Sequence, residues 1–193
     1  MINVKKAVFL DRDGTINHDP GYISKTEQFE LYPYAAEAIK LFNNSGFYTF
    51  VVTNQSGVAR GHFSLEEVDA IHKKMTKKLA EKGAYIDEIF IAPYHKDGVV
   101  KPYNIDHPDR KPELGLFRKA KKLYEFAVNK SFMIGDRYSD IVFGRRAGLK
   151  TILVTTGEGE SEFMDNRDSW DYQPDFIVKD LLIAAKFIVS GIT

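Results

Sequence analysis

Apolar and polar positions along this chain alternate between two textures. Short apolar runs lie at 6–10 (KAVFL), 48–52 (YTFVV), 86–92 (IDEIFIA), 131–134 (SFMI), 151–154 (TILV) and 176–178. Each is the length of a strand, and the continuous ones suit a strand buried on both faces. Between them, residues 35–44, 64–82, 113–126, 141–147 and 181–189 carry apolar positions at helical spacing. Ser64 with Glu67 forms a capping box, and Gly46 and Gly148 are placed to stop the helices before them. Strands separated by helix-length segments need crossover connections. The pattern therefore predicts a mostly parallel sheet covered on both faces, a Rossmann-like α/β/α layering. Residues 93–112 show neither texture; this polar stretch with four prolines reads as an extended irregular loop. No repeat or linker divides the chain, so 1–193 is expected to form one domain.

In sheets of this kind ligands bind beyond the carboxyl ends of the strands. DRDGT, TNQSG and GDRYSD each follow directly on an apolar run, so all three should gather at one edge of the sheet. Asp11 and Asp13, two apart at a strand end, can point the same way, and two close carboxylates call for a shared cation. Mg²⁺ suits them because it is hard and takes oxygen ligands, and Asp136 would complete the anionic pocket. Gly14 allows a sharp turn. A solvated Asp-rich turn explains the same tripeptide equally well. Thr53 and Asn54 offer neutral donors, and the backbone at Ser56 and Gly57 could cradle phosphate oxygens, although an ordinary turn uses the same residues. Lys111 could neutralise a phosphoryl group, and the neighbouring Arg110 could clamp a second anion. Asp140 would sit near Asp136 as an outer acceptor orienting Lys111; alternatively, Asp136 or Ser139 serves as a helix cap.

Composition narrows the field. Lys plus Arg and Asp plus Glu both number 27, a balance that gives no sign of a nucleic-acid or acidic-membrane partner. The absence of cysteine excludes disulfides and thiol catalysis and leaves oxygen or imidazole as metal ligands. No apolar run has the length of a signal peptide or a membrane span, so a cytoplasmic protein without membrane partner, working as a monomer, is expected.

Taken in order, FLDRDGT, VVTNQSG, RKP and IGDRYSD resemble the four motifs of the haloacid dehalogenase superfamily of phosphohydrolases. DRDGTINHDPGYI, VVTNQSGVARG and RKP after a long loop are similar to the subgroup that dephosphorylates D-glycero-D-manno-heptose 1,7-bisphosphate and histidinol phosphate. The resemblance implies a HAD-like fold without a separate cap domain and Mg²⁺-dependent hydrolysis of a small phosphorylated sugar, led by the C7 phosphate of the heptose bisphosphate. It makes Asp11 the nucleophile and Asp13 the general acid and then base. Mg²⁺ would be held by Asp11, Asp136 and the backbone carbonyl of Asp13. Thr53 and Lys111 would stabilise the transferring phosphoryl group. Substrate contacts would come from Asp19, Pro20, Gly21 and Tyr22, from Thr53, Asn54, Gln55 and Ser56, and from Arg110, Lys111 and Arg137. That subgroup usually holds a structural Zn²⁺ through three cysteines and a histidine. Here Ala92, Tyr94, His107 and Asp109 occupy those positions, so no thiolate site forms, and Zn²⁺ on His95, His107 and Asp109 is not expected. A receiver domain, which also carries a phosphorylatable Asp, a Thr, a Lys and Mg²⁺, competes with this reading. Asp13 argues against it, because a receiver must keep its phosphoryl group.

Overall fold

A computed structural model of the protein describes residues 4–191. Six strands form one sheet: β1 (Ala7–Leu10), β2 (Tyr48–Asn54), β3 (Glu88–Ala92), β4 (Phe132–Gly135), β5 (Lys150–Val154) and β6 (Phe176–Val178). Their order is β3-β2-β1-β4-β5-β6, with every neighbouring pair parallel. The helices are α1 (Ala35–Asn44), α2 (Gly57–Arg60), α3 (Leu65–Ala80), α4 (Gly115–Leu123), α5 (Tyr138–Ala147), α6 (Gly159–Asn166) and α7 (Leu181–Val189).

The strand alternation divides the core in two. Val8, Leu10, Val51, Ile134 and Ile152 face α1, α3 and α7. Ala7, Phe9, Phe50, Val52 and Met133 face α4 and α5 across an aromatic cluster in which Phe9 meets Phe50 at 5.2 Å and Phe126 at 5.6 Å. The result is the expected three-layer α/β/α arrangement.

Several boundaries differ from the apolar pattern for physical reasons. The helix expected to reach Phe126 ends at Leu123, because Tyr124 turns extended and lets Phe126 enter the aromatic cluster. Helix α5 starts three residues before its apolar stretch, since the Asp140 carboxylate accepts the Arg137 N–H at 3.1 Å and caps polar residues the periodicity does not register. Helices α2 and α6 are too short and mixed in composition to show a periodic signal. As expected, no helix or strand falls within 93–112. Among the described residues no helix is long and apolar enough to cross a membrane.

Candidate active site

Strands β1, β2 and β4 are neighbours, so the polar clusters that follow them meet at one edge. They line a cleft of about 360 Å³ together with Asp19, Gly21, Tyr22, Arg110 and Lys111. Pro20 is in the same loop but does not line the cleft. Ile23, Phe63 and Ser139, none of them expected as a substrate contact, do.

Asp11 lies at the floor, where its backbone N–H still donates to Ile134 of β4 at 2.9 Å. Lys111, buried, reaches it at 2.9 Å and reaches Asp140 at 2.6 Å. Asn54 fixes this lysine: its amide donates to the Lys111 carbonyl at 3.0 Å and accepts the Lys111 N–H at 2.9 Å. Asn54, expected as a substrate contact, lines the cleft and also ties the loop to the end of β2 with both halves of its amide. Burial opposes the charge on Lys111, but Asp11 and Asp140 outweigh it and raise its pKa.

Burial pushes Asp136 up to about 8, with Asp11 and Asp140 adding to the effect. Asp11 rises to about 6 by burial, which Lys111 only partly offsets. Oxygens of Asp11, Asp136 and Asp140 all lie within 4.8 Å of one another, and Oδ1 of Asp136 is buried with no hydrogen-bond partner. The other Asp136 oxygen accepts the Glu158 N–H at 3.0 Å. Asp140 is already used by Lys111 and the Arg137 N–H. Two underused buried carboxylates with raised pKa values fit a hard divalent cation such as Mg²⁺. Close packing shapes the pocket as well. Gly14 has φ +78°, and a Cβ there would collide with the Asp136 carboxylate. The Thr156 hydroxyl holds the Gly14 carbonyl at 2.6 Å.

Asp13 points elsewhere. Arg12 Nε and Nη2 donate to its two oxygens at 3.0 and 2.8 Å, Asn17 adds a bond at 2.9 Å and Gln55 one at 3.0 Å. Burial opposes ionisation, yet Arg12, Asn17 and Gln55 together hold the carboxyl below its usual range. Its carboxylate is not among the grouped oxygens. Arg12 is fully buried, and its third nitrogen meets Nε2 of His72 on α3 at 3.0 Å. An arginine always donates, so that nitrogen of His72 carries the lone pair. Burial and Arg12 hold His72 down at about 3. At the rim, Arg137 reaches Asp19 at 3.4 Å, and Tyr22 packs on His62 with ring centroids 4.4 Å apart.

The 93–112 loop is held without thiolates. Tyr94 and His107 stack at 3.7 Å, His107 Nδ1 accepts the Asp109 N–H at 3.1 Å, and Lys119 pairs with Asp109 at 2.5 Å. His95 Nε2 is taken by Arg60 at 3.0 Å. These residues do not fit the tetrahedral zinc site of the resembling subgroup, because their donor atoms are turned to one another and to the chain.

A parallel sheet that brings a buried lysine and grouped carboxylates to one edge defines a class, the HAD-like phosphatases. The HAD-hydrolase-like family model matches residues 109–184. The D-glycero-D-manno-heptose-1,7-bisphosphate 7-phosphatase of Thermosynechococcus vestitus is 36% identical over 190 residues, covering 96% of each chain. The D-glycero-beta-D-manno-heptose-1,7-bisphosphate 7-phosphatase of Pasteurella multocida is 39% identical over 160 residues, covering 82% of this chain and 86% of that one. The crystal structure of D,D-heptose 1,7-bisphosphate phosphatase from B. bronchiseptica, complexed with magnesium and phosphate, superposes with a TM-score of 0.84. It is 28% identical, and the alignment covers 96% of this chain and 99% of that one. The chain belongs to the heptose-1,7-bisphosphate 7-phosphatase family of HAD-like hydrolases.

Proposed function

We propose that this phosphatase removes the C7 phosphate of D-glycero-D-manno-heptose 1,7-bisphosphate through a phosphoryl group carried transiently on Asp11. The single observation that carries the reading is the Asp11–Lys111–Asp140 line at the floor of the cleft, with Asp13 on the same loop. Asp11 attacks phosphorus as the bond to the sugar oxygen breaks, and Asp13 gives that oxygen a proton. The donors around Asp13 favour its carboxylate; an arriving phosphate dianion favours the protonated form the first step needs. Asp13 then takes a proton from the water that attacks phosphorus, which frees Asp11 and releases phosphate. Lys111 and Thr53 line the same cleft as Asp11, and in this reading their ammonium and hydroxyl stabilise the charge that builds on the phosphoryl oxygens. Mg²⁺, held by Asp11, Asp136 and the Asp13 carbonyl, would neutralise part of that charge. Asp19, Gly21, Tyr22, Gln55, Ser56 and Arg137 line the cleft and are the contacts proposed for the sugar.

The test is a phosphate-release screen with Mg²⁺ over both heptose bisphosphate anomers, histidinol phosphate and common sugar phosphates. The expected result is the highest kcat/KM on a heptose bisphosphate, with turnover abolished by Asp11→Asn. A preference for histidinol phosphate would overturn the substrate, and turnover retained in Asp11→Asn would overturn the chemistry.

A further inference from the structure

The loop that carries Lys111 is anchored at two points, and only one of them lies in the cleft. That one is Asn54. The other is Asp109, two residues before Lys111 and only 5% exposed. Its Oδ2 meets Nζ of Lys119, on α4, at 2.5 Å. His107 Nδ1 lies 3.6 Å from the same oxygen, but that nitrogen accepts the Asp109 N–H at 3.1 Å and so carries a lone pair rather than a proton. Among the described residues Lys119 is therefore the one cation on this buried carboxylate. Its own side chain is 54% exposed and lines no part of the cleft.

The fit around the pair is close. The Gly115 N–H, at the start of α4, donates to the Pro108 carbonyl at 2.6 Å, and a Cβ at Gly115 would collide with Oδ1 of Asp109. Lys119 follows Gly115 by one helical turn, so both lie on the same face of α4. On the other side of Asp109, the His107 ring stacks on Tyr94 at 3.7 Å. The chain then reaches α4 through two tight turns, closed by the Arg110 N–H on the His107 carbonyl at 3.0 Å and the Glu113 N–H on the Arg110 carbonyl at 2.8 Å. Any displacement of Asp109 is passed to Lys111 through this short, bonded segment. Lys111 has little room to absorb it, because its ammonium is buried between Asp11 at 2.9 Å and Asp140 at 2.6 Å. A buried carboxylate that loses its cation is strongly unfavourable and must turn toward water. A shift of about 1 Å in a reacting group costs up to about a hundredfold in rate.

We propose that Lys119, outside the cleft, is a positioning residue for phosphoryl transfer: its ion pair with Asp109 fixes the end of the 93–112 loop and so sets Lys111 against Asp11. The role in transfer rests on the phosphatase reading above. The loop closes on this pair and on the Tyr94–His107 stack, with no metal ion in that place.

The experiment measures kcat and KM for phosphate release from a heptose 1,7-bisphosphate with Mg²⁺ in wild type, Lys119→Met and Lys119→Arg, together with amide hydrogen exchange over residues 107–114 and Tm. Lys119→Met should lower kcat about tenfold with KM changed less than about threefold. It should also speed exchange of the Lys111 N–H about tenfold while exchange in β1 stays as in wild type. Lys119→Arg keeps the charge and should hold kcat within about threefold of wild type. A kcat unchanged in a folded Lys119→Met overturns the positioning role, as does an equal loss in the Met and Arg variants. Should Lys119→Met fail to fold, Asp109→Asn, which leaves no buried charge unpaired, takes its place with the same expectations for kcat and exchange. Zinc analysis of the purified protein, with Tm before and after a zinc-selective chelator, tests the closure itself. No stoichiometric zinc and an unchanged Tm are expected; bound zinc whose removal lowers Tm overturns the closure by the ion pair. A wild type that releases no phosphate overturns the phosphatase reading instead, and exchange then decides the anchor: faster exchange in Lys119→Met supports it and unchanged exchange overturns it.

Discussion

Raising the pH from 7 to 8 should destabilise the metal-free protein, and Mg²⁺ should reverse the effect. Asp136 is buried beside Asp11 and Asp140, and its pKa stands at about 8 rather than 3.8. Near neutral pH the folded metal-free protein therefore holds a proton at this carboxyl that the unfolded chain has already released. Where the folded state binds more protons, stability falls as pH rises, here by at most about 1.4 kcal/mol per pH unit. Between pH 7 and 8 the group passes from mostly protonated to half ionised, so the loss is about 1 kcal/mol, or about 2–4 °C in Tm for a chain of this size. Asp11, at about 6, has largely ionised by pH 7, and below about 6.5 the buried neutral His72 gives a slope of opposite sign. Mg²⁺ at about a hundred times its dissociation constant would add about 2.7 kcal/mol, with a larger shift at pH 8 than at pH 7 because half of the Asp136 carboxyls have by then already lost the proton that the cation must displace. Thermal unfolding in EDTA and in excess Mg²⁺, for wild type and Asp136→Asn, measures all of this. The asparagine variant should show neither the slope nor the full Mg²⁺ shift. A metal-free wild-type Tm that is flat or rising from pH 7 to 8, or an undiminished Mg²⁺ shift in Asp136→Asn, would refute the reasoning.

Other substitutions test the same site from different sides. Lys111→Met leaves Asp11 and Asp140 buried without their shared cation and should cost about 3–5 kcal/mol in Tm or denaturant unfolding, as well as abolishing turnover. His72→Leu removes the acceptor that holds Arg12 against Asp13; kcat should fall about tenfold with KM little changed, and His72→Gln, which restores an acceptor, should recover most of it. Gly14→Ala places a methyl group against the Asp136 carboxylate at a positive φ and should weaken the Mg²⁺-induced rise in Tm more than it lowers the metal-free Tm.

The sheet was legible because runs such as AVFL and FVV have no home except between two helical layers, and the structure places them there. Helix ends were less legible. The end of α4 is set by Phe126 entering a cluster with Phe9 and Phe50, a tertiary demand invisible to local spacing. Within the site, Asp11, Thr53 and Asp136 could be read because each lies at the end of an apolar run or directly after it, and the neighbouring strands carry the others. The same rule would have found Thr156 and Glu158, since TTGEG follows β5 just as directly, and their loop packs behind Asp136. The role of Asn54 could not be read, because a strand-end amide suits a ligand or a loop equally and only the fold brings Lys111 to it. Arg12 and His72 were silent for a simpler reason: a histidine on the inner face of a helix looks like core, and an arginine between two aspartates looks solvated. In fact Arg12 is buried and links α3 to Asp13.

Trapping the phosphoryl-enzyme tests the central claim most directly. Asp13→Asn should slow breakdown of the intermediate, so rapid acid quench after mixing with substrate and Mg²⁺, followed by borohydride reduction and peptide mass spectrometry, should find homoserine at position 11 and no other modified carboxyl. Release of phosphate with no trapped species, or reduction at another residue, would contradict the assignment of Asp11 as the phosphoryl acceptor.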